Sequence, residues 1–104
     1  MGEFRLVAAT GDIPLGEMRD FEIGPHRFVI AHTEDGFFAL ADVCTHDGAP
    51  IADGEIDGDE VVCMRHGARF DLATGEVTGP PAIVPIDTYE VRIDGDRVFV
   101  RLND

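Results

Sequence analysis

The 104-residue sequence contains no lysine and no tryptophan, a single tyrosine and only two cysteines. Eight arginines face 21 aspartates and glutamates, for a formal net charge of −13. A chain so poor in cations lacks the basic footprint that nucleic-acid phosphates require, and anionic membrane surfaces would repel it. Two cysteines allow at most one disulfide, which excludes a disulfide scaffold. No run approaches the roughly 20 apolar residues needed to cross a bilayer. The start, Met1-Gly2-Glu3-Phe4-Arg5, shows no basic region followed by an apolar stretch, so no secretory signal is visible. The expectation is a cytoplasmic protein, and in that reducing compartment paired cysteines are more often metal ligands than disulfides. Charge this negative favours encounter with a protein bearing a basic patch, although solubility alone accounts for it as well.

What is present is enough apolar sequence for a modest core, 44% of residues, in a length that fits one domain spanning residues 1–104. Helical periodicity is nearly absent. Phe4 and Leu6 alternate with Glu3 and Arg5, and Phe21 and Ile23 with Asp20 and Glu22, as in half-buried strands. The runs 27–31 and 37–41 flank Glu34-Asp35-Gly36, a hairpin signal. Val91 and Ile93, then Val98, Val100 and Leu102, flank Asp94-Gly95-Asp96 in the same way. Between these hairpins, Asp42 to Pro85 is rich in Gly, Pro and Asp and holds both cysteines. Asp57-Gly58-Asp59 reads there as a turn between two short strands, the second being Glu60-Val61-Val62-Cys63. Thr74-Gly75 reads as another turn, and Gly79-Pro80-Pro81 fits neither helix nor central strand. The expected fold is all-β, an antiparallel sandwich with a small loop-rich insertion.

Chemistry concentrates in Cys44-Thr45-His46 and Cys63-Met64-Arg65-His66, sixteen residues apart. A Cys and a His one or two residues apart can turn inward together from one tight loop. Gly48 and Gly67 follow, and such glycines let backbone amides approach a bound group. Thiolate and imidazole together suit either a structural zinc or an iron–sulfur cluster. His26 and His32 have no such partners and read as surface residues. Phe28, Phe37 and Phe38 read as core. Phe70 and Pro80-Pro81 could shield the loops from water. Asp42, Asp47, Asp53, Glu55, Asp57, Asp59 and Glu60 surround them, as a docking surface or a solvated face, and Arg65 and Arg69 could tune the site or meet a partner carboxylate.

The segments 44–50 and 63–71, with Thr74-Gly75 and the prolines after Gly79, closely resemble the Rieske ferredoxins, the small electron carriers of bacterial multicomponent oxygenases. The resemblance covers nearly the whole chain. It implies an antiparallel β-sandwich with an inserted cluster-binding subdomain and one [2Fe-2S] cluster, with Cys44 and Cys63 on one iron and His46 and His66 on the other. It also implies one-electron transfer from a flavoprotein reductase to a terminal oxygenase, with no catalysis by the chain itself. Replacing two thiolates by neutral imidazoles makes reduction easier than in an all-cysteine cluster. Respiratory relatives add two cysteines and a serine, where this chain has Ala49, Arg65 and Ala68. The expected potential is therefore in the lower part of the Rieske range of roughly −150 to +300 mV. Met64 stands where the family usually has proline, and could act as an adaptable apolar lid. Alternatives are a small subunit of a nitrite-reductase-like complex and a zinc-stapled interaction module.

Overall fold

Short polar turns divide the chain into antiparallel ladders, and the computed structural model describes them over residues 3–44, 50–64, 67–80 and 84–102. Strand β1 (Glu3–Ala9) pairs with β11 (Arg97–Leu102), which also pairs with β10 (Val91–Asp94). A second sheet has the order β2 (Met18–Ile23), β3 (His26–Thr33), β4 (Gly36–Ala41) and β9 (Thr88–Tyr89). A third is inserted in sequence between β4 and β9, and runs β5 (Glu55–Asp57), β6 (Glu60–Val62), β7 (Arg69–Asp71) and β8 (Val77–Gly79). Neighbouring strands in all three sheets are antiparallel. The all-β sandwich with a small insertion is thus the fold observed. No helix among the described residues is long and apolar enough to cross a membrane.

The turns set the registers. Asp57 pairs with Glu60 and Asp94 with Arg97, each across a two-residue loop of the kind that matches strand twist. At the β3–β4 turn the Thr33 hydroxyl accepts the Asp35 N–H at 3.1 Å, leaving Glu34 and Asp35 as the loop.

The interior has two apolar clusters, and the second sheet separates them. Phe28 and Ile30 of β3 join Ile13, Ala39, Val98, Val100 and Leu102 on one side. Val29 and Ala31 of the same strand face the other way. They join Leu40, Ile51, Val61, Phe70, Leu72, Ile86 and both cysteines. This two-sided burial is why residues 28–31 form an unbroken apolar run rather than an alternating one. In the inserted sheet Ile56, Val61, Phe70 and Val77 face the core, whereas Asp57, Glu60 and Arg69 lie on the outer side.

Two expectations need correction. Leu6 is not half-buried but 57% exposed, because the β1–β11 register shifts between Leu6 and Ala8 and turns Val7 and Ala8 toward the core instead. The stretch 42–85 holds not only the two short strands expected around Asp57-Gly58-Asp59 but two more, in a four-stranded sheet whose strands are only three residues long.

Candidate metal centre

The two cysteines occupy equivalent places, each just beyond the end of a strand. Backbone hydrogen bonds carry the ladder past the end of β4. Ala41 N–H donates to the Asp87 carbonyl at 2.9 Å and Asp42 N–H to the Arg27 carbonyl at 3.0 Å. Cys44 follows two residues later and is 1% exposed. Cys63 follows β6 directly and is also 1% exposed. Neither is in a disulfide, and both belong to the same buried cluster as Phe70, Leu72 and Ile51. Buried cysteines can be plain small hydrophobes. What distinguishes these two is their location where a rigid scaffold hands over to loops.

The second loop has a defined closure. Cys63 N–H donates to the Ala68 carbonyl at 2.8 Å, and Gly67 N–H donates back to the Cys63 carbonyl at 3.0 Å. These two bonds fix Gly67 and Ala68 against Cys63 at the β6–β7 connection. The reversal needs Gly67, whose φ of +74° lies in the left-handed region. Met64, directly after Cys63, is 60% exposed. It extends into solvent rather than filling the core, leaving its thioether available as a surface contact.

The first loop is closed by a side chain. Asp42 Oδ1 accepts the Ala52 N–H at 2.9 Å, tying the end of β4 to the 3-10 turn Ile51–Asp53. Ile51 is fully buried and anchors that turn in the cluster with the cysteines. Gly54 then packs directly on the Val62 carbonyl, leaving no room for a Cβ. The sequence signals for these two contacts are faint: an Asx residue near a loop, and a glycine after Asp53.

Of the four proposed ligands, Cys44 and Cys63 are placed in one buried cluster, and His46 and His66 lie outside the described residues. Thr45, Asp47, Gly48, Ala49, Arg65 and Pro81 lie outside them too. The described donor chemistry fits an iron–sulfur cluster: two buried thiols, in one apolar cluster with Phe70 and Leu72, each just beyond the end of a different strand. Exposed aliphatic side chains stand next to both cysteines, Val43 at 39% and Met64 at 60%.

Charged residues near the loops are partly committed elsewhere. Arg69 bridges Asp57 Oδ2 at 2.9 Å and Glu60 Oε1 at 2.8 Å on the outer face of the inserted sheet. Its pKa is raised by those carboxylates, first by the hydrogen bond to Glu60. The Glu60 carboxyl is pulled below its ordinary value, first by the Thr78 hydrogen bond and then by Arg69. Asp59 moves the other way, raised first by its hydrogen bond with Asp35 and next by that residue's charge. Arg69 is thus occupied within its own sheet, and Asp42 is a loop closure.

The remaining histidines are more embedded than expected for surface residues. His32 Nδ1–H donates to the Ile13 carbonyl at 2.7 Å, the only direction a carbonyl permits, and its ring stacks on Phe37 with centroids 3.9 Å apart. His26 sets its ring edge-on to Tyr89 at 6.4 Å, with Nε2 buried. Phe28 is fully buried, whereas Phe37 and Phe38 are only partly so, packing against different clusters.

The family model for the Rieske [2Fe-2S] domain matches residues 3–90. The ferredoxin component of a biphenyl 2,3-dioxygenase from Rhodococcus jostii is 36% identical over 96 residues, covering 92% of this chain and 90% of that one. The ferredoxin component of a naphthalene 1,2-dioxygenase system from Pseudomonas aeruginosa is 33% identical, with 91% of each chain covered. Among solved structures, a complex of reduced oxygenase and oxidized ferredoxin in carbazole 1,9a-dioxygenase includes a chain that matches with a TM-score of 0.87 and 31% identity, covering 94% of this chain and 92% of that one.

Proposed function

The chain belongs to the Rieske [2Fe-2S] domain family, and from that membership we propose how its own residues hold and serve the cluster. It carries one [2Fe-2S] cluster and acts as an electron carrier rather than a catalyst. When bound, the cluster supplies a reversible one-electron couple. Cys44 and Cys63 ligate one iron by thiolate from inside the apolar cluster, and His46 and His66 ligate the other by one ring nitrogen each. Phe70 and Leu72, buried in the same apolar cluster as the thiols, would help keep water from them. The whole chain, 1–104, acts as one Rieske domain.

Its partners are proposed to be a flavoprotein reductase, which supplies the electron, and a terminal oxygenase, which takes it, in transient complexes in the cytoplasm. The names of the relatives support this reading, as does the net charge of −13, which steers the chain toward basic protein surfaces. The observation that carries the ligand assignment is the joint burial of Cys44 and Cys63, at two strand ends, in one cluster with Phe70.

The test is anaerobic purification of the wild type and of Cys44→Ser, Cys63→Ser, His46→Ala and His66→Ala, with iron and acid-labile sulfide counted. The wild type should be red-brown, bleach on dithionite, and hold about two irons and two sulfides per chain. Each variant should lose the wild-type spectrum. A histidine variant with an unchanged spectrum would remove that residue from the ligand set. Colourless wild type carrying one zinc would overturn the cofactor.

A further inference from the structure

Asp42 precedes Cys44 by two residues, and its backbone is already engaged, its N–H bonded to the Arg27 carbonyl at 3.0 Å. The side chain does separate work. Its Oδ1 spans the first loop to accept the Ala52 N–H at 2.9 Å, which closes residues 42 to 52 into a ring. From Ala52 the path is short and rigid. The turn 51–53 is pinned by buried Ile51 and closed by Gly54 N–H on the Ile51 carbonyl at 2.8 Å. Gly54 then rests on the carbonyl of Val62, the residue before Cys63. One hydrogen bond and one backbone contact therefore connect the loop of Cys44 to the strand that presents Cys63.

We propose that Asp42 is a positioning residue for electron transfer, holding the first cluster loop in register with the second. The proposal rests on the reading that these two loops share one cluster. The physical reason is entropy: an acceptor at the near end of an eleven-residue segment removes freedom the loop would otherwise keep. A carboxylate makes a stronger bond to an amide than a neutral acceptor does. It also adds negative charge near the cluster and so opposes reduction.

The two effects separate in Asp42→Asn and Asp42→Ala, compared with wild-type holoprotein. The asparagine keeps an oxygen that accepts from Ala52 but loses the charge, whereas the alanine loses both. Three readouts apply: hydrogen exchange of the peptide containing Ala52, the rate at which a chelator removes the visible absorbance, and the midpoint potential. Asp42→Ala should exchange and lose absorbance about fivefold faster, the factor implied by a typical net hydrogen bond. Asp42→Asn, with a weaker but present acceptor, should fall between the two in both rates while its potential rises. Should Asp42→Ala not accumulate, Asp42→Val, which suits a strand end and also lacks an acceptor, takes its place. Wild-type rates in the variant lacking the acceptor would overturn the proposal, and so would an asparagine variant as labile as that one. Colourless wild type would instead sink the cluster reading, and the exchange comparison would still decide the latch.

Discussion

Gly54 lies against the carbonyl oxygen of Val62 so closely that a side chain cannot stand between them. Both groups are backbone, and neither can rotate away. Gly54→Ala should therefore push the 51–53 turn off the end of β6 at a cost of about 1–3 kcal/mol, as overpacking does elsewhere. Urea unfolding of the holoprotein, with cluster absorbance recorded alongside, checks this. Unchanged stability and spectrum would show that the close approach is not needed.

The pH dependence on the acid side should be set by two opposed carboxyls. The pKa of Glu60 is lowered, first by Thr78 and then by Arg69. The stability it contributes is complete above the ordinary glutamate value and is lost as pH falls through the lowered folded value. The pKa of Asp59 is raised by its pairing with Asp35. Its contribution is present below the ordinary aspartate value and lost as pH rises through the raised one. Asp59→Asn should thus gain more stability than wild type between about pH 3 and 6, whereas Glu60→Gln should gain less. Urea midpoints across that range measure both, and identical slopes in all three proteins would refute the assignment. Both effects should shrink at high salt.

Met64 offers the test of the surface beside Cys63 as a docking site. At 60% exposure it contributes little to the core, so Met64→Gln should alter stability by no more than about 0.5 kcal/mol. The visible spectrum should also be preserved. Electron transfer to an oxygenase should slow by roughly fivefold, the factor corresponding to about 1 kcal/mol of apolar burial forfeited at an interface. Stopped-flow transfer rates would report this, and an unchanged rate would place the docking surface elsewhere.

His32 should matter for stability rather than for electron transfer. His32→Ala removes both the hydrogen bond to Ile13 and the stack on Phe37. A loss of about 1–2 kcal/mol is expected, because the Ile13 carbonyl also loses its side-chain donor. Thermal or urea unfolding measures the loss, and the midpoint potential should not change.

Sequence patterning revealed the hairpins around Glu34-Asp35 and Gly95, because turn chemistry and flanking apolar residues are local properties. It also pointed to Cys44 and Cys63, because two closely spaced Cys-His pairs are hard to explain by packing. The turn Asp57-Gly58-Asp59 exposed β5 and β6 of the inserted sheet, whereas β7 and β8 were hidden, since alternation cannot be recognised over three residues. Leu6 was misplaced by a register shift that no single strand encodes, since it exists only in the pairing with β11. Arg69 and Asp42 were visible as charges, but their partners depend on which segments the fold brings together. His32 was misjudged for the same reason, because Ile13 is nineteen residues away in sequence.

The split interior bears on how the mature protein is made. Phe28, Ile30, Val98, Val100 and their neighbours complete one apolar cluster with no contribution from either cysteine loop. That half of the molecule can consolidate before any iron arrives. Only the opposite half, where the thiols share a cluster with Val61 and Phe70, would gain or lose packing with the cofactor. Damage to either cysteine loop should therefore be felt on one side of the molecule and leave the pedestal formed by the other intact.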